Sequence, residues 1–135
     1  MEYHSILVVE DEMIVAADIQ QQLRQDGYRL NPIAQSGEEA VRLAGELLPD
    51  LVLMDISLQG SMDGLEAARL ISESTHIPVV YLTAYPGIFL QDPSSMQKPK
   101  LCLIKPFSVA ELRSVIDVAL RPPEPDPLSS SHPVN

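Results

Sequence analysis

Five short apolar segments alternate along the chain with stretches that repeat their apolar residues every three or four positions. The apolar segments, predicted as β-strands, are residues 6–9, 28–34, 51–55, 78–83 and 101–104. The stretches that follow have the period of amphipathic helices. This alternation produces successive βα units, with parallel strands and right-handed crossovers that place helices on both faces of one sheet. The sequence therefore predicts an α/β fold with a doubly wound parallel sheet.

Local signals mark where several of the helices begin. The residues placed to cap them are Ser36 with Glu39, Asp63, and Ser108 with Glu111, where the two serine–glutamate pairs have the spacing of a capping box. The crossover between the fourth and fifth strands is different, because three prolines interrupt residues 86–99. We expect an irregular or shortened fourth helix in that segment.

The composition changes after Arg121. Five of the twelve prolines and three successive serines lie in the last part of the chain. A segment this polar and proline-rich cannot bury enough apolar surface to pack. We expect one domain over residues 1–121, followed over residues 122–135 by a disordered tail or by a linker to a removed output domain.

The net charge argues against two classes of binding partner. The chain has 19 acidic and 9 basic residues, for a formal charge of −10. This charge disfavours direct binding to nucleic-acid phosphates and docking on anionic membranes. The single cysteine, Cys102, excludes an internal disulfide, and neither a signal-peptide pattern nor a membrane-spanning apolar stretch is present. We expect a cytoplasmic domain.

Reactive side chains follow four of the five predicted strands. They are Glu10 and Asp11 after the first strand, Asp55 after the third, Thr83 after the fourth and Lys105 after the fifth. The carboxyl ends of parallel strands share one edge of the sheet, so these groups can converge. Clustered carboxylates raise one another's pKa unless a cation neutralises them, and their hard oxygen atoms suit Mg²⁺. With an amine and a hydroxyl, such a cluster is predicted to transfer a phosphoryl group onto an aspartate.

These residues lie in blocks that resemble those of bacterial response-regulator receiver domains. The blocks are residues 6–12, 51–55, 62–64, 82–84 and 104–107, in the order and at the spacing found in that family. The resemblance covers about residues 5–120. It implies a flavodoxin-like (βα)5 fold with the strand order 2-1-3-4-5, and phosphorylation by a sensor histidine kinase or a phosphotransfer protein.

The resemblance also implies roles for individual residues. Asp55 would accept the phosphoryl group, Lys105 would pair with that group, and Thr83 would hydrogen-bond to it. The implied Mg²⁺ ligands are Glu10, Asp11, Asp55 and the backbone carbonyl of Ser57. Glu10 takes the place of an acidic ligand that often acts through water. Domains of this family catalyse their own phosphorylation and dephosphorylation, and the Lys105–Pro106 peptide bond is expected to be cis.

One position departs from the family pattern. In the family, an aromatic residue three positions before the lysine couples the threonine to the conformational change, and Cys102 stands at that position here. A small thiol cannot swing as an aromatic ring does. The sequence therefore leaves open a receiver-like protein-binding module with little or no phosphorylation-dependent switching. It also leaves open a weak dimer, and a downstream output protein in place of an output domain after residue 121.

Two other functions fit the sequence less well. A flavin-binding domain of this fold would need a glycine- and hydroxyl-rich phosphate loop after the first strand, where Glu10, Asp11 and Glu12 stand instead. A haloacid-dehalogenase-type phosphatase would need a second aspartate two residues after its nucleophile, and that residue is Ser57. The phosphoacceptor interpretation is therefore the one that the residues favour.

Overall fold

The computed structural model describes residues 3–84 and 101–122. The strands are β1 (Ser5–Val9), β2 (Arg29–Leu30), β3 (Leu51–Asp55), β4 (Val79–Thr83) and β5 (Cys102–Ile104). The helices of the described residues are α1 (Met13–Gln25), α2 (Gly37–Leu47), α3 (Gly64–Ser74) and α4 (Val109–Leu120). All strand pairs are parallel, in the order β2-β1-β3-β4-β5. This is the flavodoxin-like, doubly wound sheet that the sequence predicts.

The core consists of one apolar layer on each face of the sheet. Side chains alternate along β1, so that Ile6 and Val8 enter one layer while Leu7 and Val9 enter the other. The first layer is completed by α1 and α4, and the second by α2 and α3. Because helices cover both faces, β3 is buried at every position, which explains its uninterrupted apolar run.

The second strand is shorter than predicted. β2 has two residues and pairs with β1 at the edge of the sheet, where the sequence places it. Pro32 has no N–H to donate, and a continuous strand over residues 28–34 does not form. Parallel pairing resumes at Ala34, which bridges to Val9 and accepts a hydrogen bond from the backbone N–H of Glu10 at 2.9 Å. The edge position was predicted correctly and the length wrongly.

The predicted helix caps are present, with one difference. The capping side chains Ser36, Asp63 and Ser108 each accept a hydrogen bond from the backbone N–H three residues later. At α4 the capping box is complete, because the Glu111 carboxylate accepts the N–H of Ser108 at 2.8 Å. At α2 the carboxylate of Glu39 instead accepts the N–H of Gln35 at 2.8 Å, so the reciprocal half of that predicted box is wrong.

Two predictions concern residues outside the described ranges. The first is the irregular or shortened helix expected within residues 86–99, between β4 and β5. The second is the disordered tail, of which only residue 122 is described. α4 ends at Leu120, next to the point where the composition changes. No helix in the described part of the chain has the length and apolar character needed to cross a membrane.

An ion pair joins the end of α1 to α4. The carboxylate of Asp26 accepts hydrogen bonds from the Arg113 guanidinium at 2.9 and 3.1 Å. These bonds, helped by one from Gln22, lower the pKa of Asp26 although its burial acts in the opposite direction. A carboxyl group whose pKa is lowered by folding stabilises the fold above its unfolded pKa of about 4 and loses that contribution as the pH falls through the folded pKa.

We therefore expect Asp26→Asn to lower the urea midpoint of unfolding at neutral pH, since the charged partner of Arg113 is lost. The difference from wild type should stay constant down to about pH 5 and begin to shrink near the unfolded pKa of about 4. It should vanish only once the pH has fallen through the lowered pKa of folded Asp26, where that carboxyl group is itself protonated. The control is Asp117→Asn, in an exposed pair with Arg121. A wild-type–variant difference for Asp26 that is unchanged at low pH would contradict this account.

Candidate functional site

A cleft of about 720 Å³ opens at the carboxyl edge of the sheet. It is lined by Asp11, Glu12, Asp55, Ser57, Gln59, Ala84 and Lys105. The neighbours β1 and β3 end here, and the chain leaves them for helices on opposite faces of the sheet. Ligands of open α/β sheets bind at such a point. The cleft therefore lies where the topology alone would place a site.

Three acidic residues come together at this edge of the sheet, with Asp11 and Asp55 lining the cleft and Glu10 buried beside them. Val9 pairs with Met54, so the residues that follow β1 and those at the end of β3 lie side by side. Glu10, Asp11 and Asp55 each place one carboxylate oxygen within 4.8 Å of the others. Glu10 is 0% and Asp55 3% exposed, while Asp11 is half-buried. The predicted acidic cluster is thus formed, and most of it is shielded from water.

Lys105 brings a positive charge to the cluster from the edge strand. Its Nζ atom lies 3.1 Å from Oε1 of Glu10 and 3.4 Å from Oδ2 of Asp55. The backbone N–H of Lys105 donates to the carbonyl of Thr83 at 2.8 Å, which extends the β4–β5 ladder to the rim of the cleft. The Lys105–Pro106 peptide bond is cis, as expected. The amine therefore contacts two of the three carboxylates.

Backbone groups of the loop after β3 orient the two aspartates. The N–H of Ser57 donates to Oδ1 of Asp55 at 2.9 Å, and the N–H of Gln59 donates to Oδ2 of Asp11 at 3.0 Å. Ser57 was expected at the site through its backbone carbonyl, whereas the contact from Gln59 was not predicted. No side-chain signal could have revealed Gln59, because the contact is made by its backbone.

The close packing of these charges changes their protonation. Burial, together with the hydrogen bond to Asp55 and the charge on Asp55, raises the pKa of Glu10 to about 7, and the bonds from Lys105 and the Glu12 N–H offset only part of this. Burial by itself would lower the pKa of Lys105, but the hydrogen bond to Glu10 and the charge of Asp55 outweigh it and raise that pKa. Lys105 is consequently an ammonium group at neutral pH.

The donor set fits a divalent cation that prefers oxygen. Three carboxyl groups share one ammonium group, so acidic groups outnumber basic ones in the cluster. At metal–oxygen distances of about 2.1 Å, adjacent oxygen ligands of octahedral Mg²⁺ are roughly 3 Å apart and opposite ones roughly 4.2 Å apart. The carboxylate oxygens lie within 4.8 Å of one another, so the three side chains would have to draw closer together to hold the ion.

Thr83 is at the expected edge but away from the cleft surface. It is the last residue of β4 and is 1% exposed. The wall of the cleft after β4 is formed by the next residue, Ala84. The structure thus brings Glu10, Asp11, Asp55 and Lys105 together, places Ser57 on the lining, and keeps Thr83 just below it.

Cys102, the residue that departs from the family pattern, lies on β5 and is paired with β4. In the parallel register, Cys102 is opposite Tyr81 and Ile104 is opposite Thr83. Tyr81 and Thr83 are two residues apart on one strand, and therefore project from the same face of the sheet. Burial raises the pKa of both the Cys102 thiol and the Tyr81 phenol. The thiol is neutral and half-buried, with an aromatic residue as its cross-strand partner.

Gly64 has a role that the sequence did not reveal. A Cβ atom on this residue would clash with the backbone carbonyl oxygen of Asp55 and lie 2.5 Å from Cα of Ile56. The first residue of α3 therefore packs directly against the end of β3, and only glycine allows this approach. The sequence signal was the Asp63–Gly64 pair before a helix, which indicates a cap but not this contact.

We expect Gly64→Ala to destabilise the fold by about 1–3 kcal/mol, because the added methyl group overlaps backbone atoms that cannot move independently. Gly45→Ala is the matched control, since a Cβ there meets nothing within 4 Å and lies within α2. That change should stabilise the fold by about 0.5–1 kcal/mol. Urea unfolding measures both effects. Equal effects of the two changes would show that the contact at Gly64 is not restrictive.

Comparison with known proteins identifies the family. The model of the response regulator receiver domain matches residues 6–117. Together with the strand order and the acidic cluster, this match shows that the chain belongs to the response-regulator receiver family. The family and fold inferred from the sequence motifs are confirmed.

Several individual proteins are similar to this chain over most of its length. It is 36% identical over 115 residues to the transcriptional regulatory protein PdtaR of Mycobacterium tuberculosis, covering 85% of this chain and 56% of that protein. It is 34% identical over 116 residues to the phyllosphere-induced regulator PhyR of Methylorubrum extorquens, covering 85% and 43%. The solution structure of the Erythrobacter litoralis PhyR response regulator REC domain is similar with a TM-score of 0.81 and 28% identity, covering 89% and 92%. The chain thus spans about half the length of these two curated relatives.

Proposed function

We propose that this domain accepts a phosphoryl group onto Asp55 from a histidine kinase or phosphotransfer protein and thereby changes its contacts with other proteins. The observation that carries the proposal is the environment of Asp55. Its carboxylate is 3% exposed, lies next to two other acidic groups and has the Lys105 amine 3.4 Å away. A carboxylate with this combination of neighbours is suited to act as a nucleophile toward an anionic donor.

The chain's own groups orient the nucleophile. The N–H of Ser57 holds Oδ1 of Asp55, and Lys105 lies beside Oδ2. In the reaction, a carboxylate oxygen forms a bond to phosphorus while the bond from phosphorus to the histidine nitrogen breaks. The electron pair of the broken bond stays on the imidazole. Lys105 then contributes positive charge to phosphoryl oxygens, where negative charge is concentrated in the transition state.

The acidic residues are proposed to recruit a cation before the donor. Mg²⁺, held by Asp11, Asp55 and the carbonyl of Ser57, with Glu10 acting directly or through water, would supply positive charge to the phosphoryl oxygens. Without that cation, the excess of acidic groups in the cluster repels an anionic donor. The hydroxyl of Thr83, at the end of β4, is proposed to hydrogen-bond the phosphoryl group once it is attached.

The reverse step uses the same cleft. The aspartyl phosphate formed at Asp55 is an acyl phosphate, which water hydrolyses to the free carboxylate and inorganic phosphate. The domain would therefore catalyse both its own phosphorylation and its own dephosphorylation. Its partners would be the phosphoryl donor and an output protein or an output region of a longer chain, and a reducing cytoplasm suits its free cysteine.

A second candidate function is a protein-binding module with little phosphorylation-dependent switching. The observation that favours it is Cys102, which is paired with Tyr81 where the family carries the aromatic switch residue on β5. This candidate differs from the first only in the readout. The groups proposed to receive the phosphoryl group are present in both cases.

The first test is direct phosphorylation. Wild-type protein incubated with Mg²⁺ and acetyl phosphate should gain the mass of one phosphoryl group, and Asp55→Asn should gain none. Removing Mg²⁺ with a chelator should abolish the gain, since the cluster then lacks its cation. If wild type and Asp55→Asn stay equally unmodified, and a histidine kinase cannot label the wild type either, the phosphoacceptor proposal fails.

The role of Lys105 can be separated from metal binding. Lys105→Ala should lower the phosphorylation rate by about 10²–10³-fold, the range seen when one donor to a developing oxyanion is removed. Calorimetry should show that Mg²⁺ binding is retained, because the carboxylates remain and a competing positive charge is gone. Arg42→Ala, which removes an exposed cation on α2, is the control. Loss of Mg²⁺ binding with normal phosphorylation would contradict the assignment.

A further inference from the structure

We propose that the chain has a second recognition surface, at the amino edge of the sheet, which takes an arginine of a partner protein together with a neighbouring leucine. The surface is a recess of about 410 Å³ where the chain leaves α2 and α3 to enter β3 and β4. It lies at the opposite edge of the sheet from the cleft that contains Asp55, and the two share no lining residue. The lining of this amino-edge recess includes Leu48, Asp50, Thr75, His76, Ile77 and Pro78.

The amino-edge recess presents apolar surface to solvent. Leu48 is 65% exposed and Leu47, just before it, is 42% exposed, while Ile77 and Pro78 are half-buried. In the described part of the chain, Leu48 is also the only residue other than glycine with a positive φ angle, at φ 48° and ψ 60°. Glycine or asparagine is usual at such a helix end, because a left-handed backbone crowds a Cβ atom. The leucine side chain is thus outside the core and available to an apolar group of a partner.

Two helices present their C-terminal ends to the recess. The residues that follow them, Leu48 after α2 and Thr75 after α3, both line it. The last carbonyl groups of a helix have no partner within the helix, and together they act as roughly half a negative elementary charge. Neither helix has a basic residue in its last turn to offset this charge. The recess is therefore electronegative on both sides.

The residues that end the two helices do not satisfy these carbonyl groups. After α2, Pro49 has no N–H, and the N–H of Asp50 donates to the carbonyl of Ser5 at 2.9 Å. After α3, Thr75 directs both its N–H and its hydroxyl to one carbonyl, that of Ile71, at 2.8 and 2.7 Å. The last carbonyl groups of each helix therefore receive no hydrogen bond from these residues and can accept one from a ligand.

Asp50 adds a full negative charge to the lining. Its Oδ2 accepts the N–H of Ser5 at 2.7 Å, whereas Oδ1 accepts no hydrogen bond from the residues that the structure describes. The arginines of the two helices, Arg42 and Arg69, are each paired with two glutamates of their own helix and do not line the recess. A carboxylate and two helix C-termini thus meet apolar side chains without a lysine or arginine in the lining.

An arginine with an adjacent leucine complements this arrangement. A guanidinium group keeps its charge and has five N–H donors, enough for a carboxylate and several carbonyl groups at once. The leucine would pack on Leu48. Residues 122–135 contain no lysine or arginine, so they cannot supply the cation. A second copy of the chain is disfavoured by the formal net charge of −10. The charges therefore favour a segment of a partner protein.

The test is a titration of the ¹⁵N-labelled full chain with a short acetylated peptide that carries leucine-arginine-leucine between glycine–serine flanks. The NMR shifts should concentrate on the backbone amides of Leu48, Asp50, Thr75 and Ile77. Replacing the arginine of the peptide with glutamine, or its leucines with serine, should weaken binding by at least about threefold. No phosphoryl donor is present, so the result does not depend on the function proposed for Asp55.

Two variants test the apolar and the charged part of the recess separately. Asparagine tolerates a positive φ angle, so Leu48→Asn should unfold at the same or a higher urea concentration than wild type, yet bind the peptide about three- to tenfold more weakly. Asp50→Asn keeps an acceptor for the N–H of Ser5 but removes the charge, and should weaken binding by a similar factor. The controls are Val118→Asn and Asp117→Asn, matched changes at exposed positions of α4, which should bind as wild type does.

Three results would overturn the proposal. The first is a set of shifts spread evenly over the acidic surface, or equal affinity for the arginine and glutamine peptides. The second is wild-type affinity in Leu48→Asn and Asp50→Asn when urea unfolding shows that both are folded. The third is a second copy of the chain in the recess, which sedimentation velocity would detect as a dimer that Leu48→Asn dissociates.

Discussion

The contact of Lys105 with two buried carboxylates is the interaction on which this cleft depends. Taking an isolated carboxylate out of water is costly, and Glu10 and Asp55 are 0% and 3% exposed. The Lys105 amine, at 3.1 and 3.4 Å from them, makes their burial tolerable. Because Lys105 follows the edge strand β5, the charge balance of the two central strands requires that β5 be in register on β4. The assembly of the sheet and the electrostatics of the site are thus coupled.

The rest of the site is held by backbone groups and by close packing. The N–H groups of Ser57 and Gln59 fix the two aspartates, and the absence of a Cβ at Gly64 lets α3 begin against the carbonyl of Asp55. Asp55 is therefore in direct contact with the loop after β3 and with the start of α3. These contacts give any modification of Asp55 a short physical path into the surrounding fold.

The sequence predicted elements well where one local pattern dominated. β3 was recognised because an apolar run that ends in a carboxylate suits a strand buried on both faces, and the box at Ser108 formed because its two partners are three residues apart. Two predictions failed for different reasons. Pro32 has no N–H to donate, and the second strand is shorter than predicted. Two backbone N–H groups competed for Glu39, which bonded that of Gln35 in place of that of Ser36.

By itself, the sequence determined which groups meet at one edge of the sheet. Period and βα alternation require parallel strands, and parallel strands bring Glu10, Asp11, Asp55 and Lys105 to the same side. Only the tertiary structure decided which of these groups bond to each other. That Lys105 lies nearer to Glu10 than to Asp55 depends on side-chain reach across residues 95 positions apart. Cross-strand register and packing set such distances, and no local pattern in the sequence encodes them.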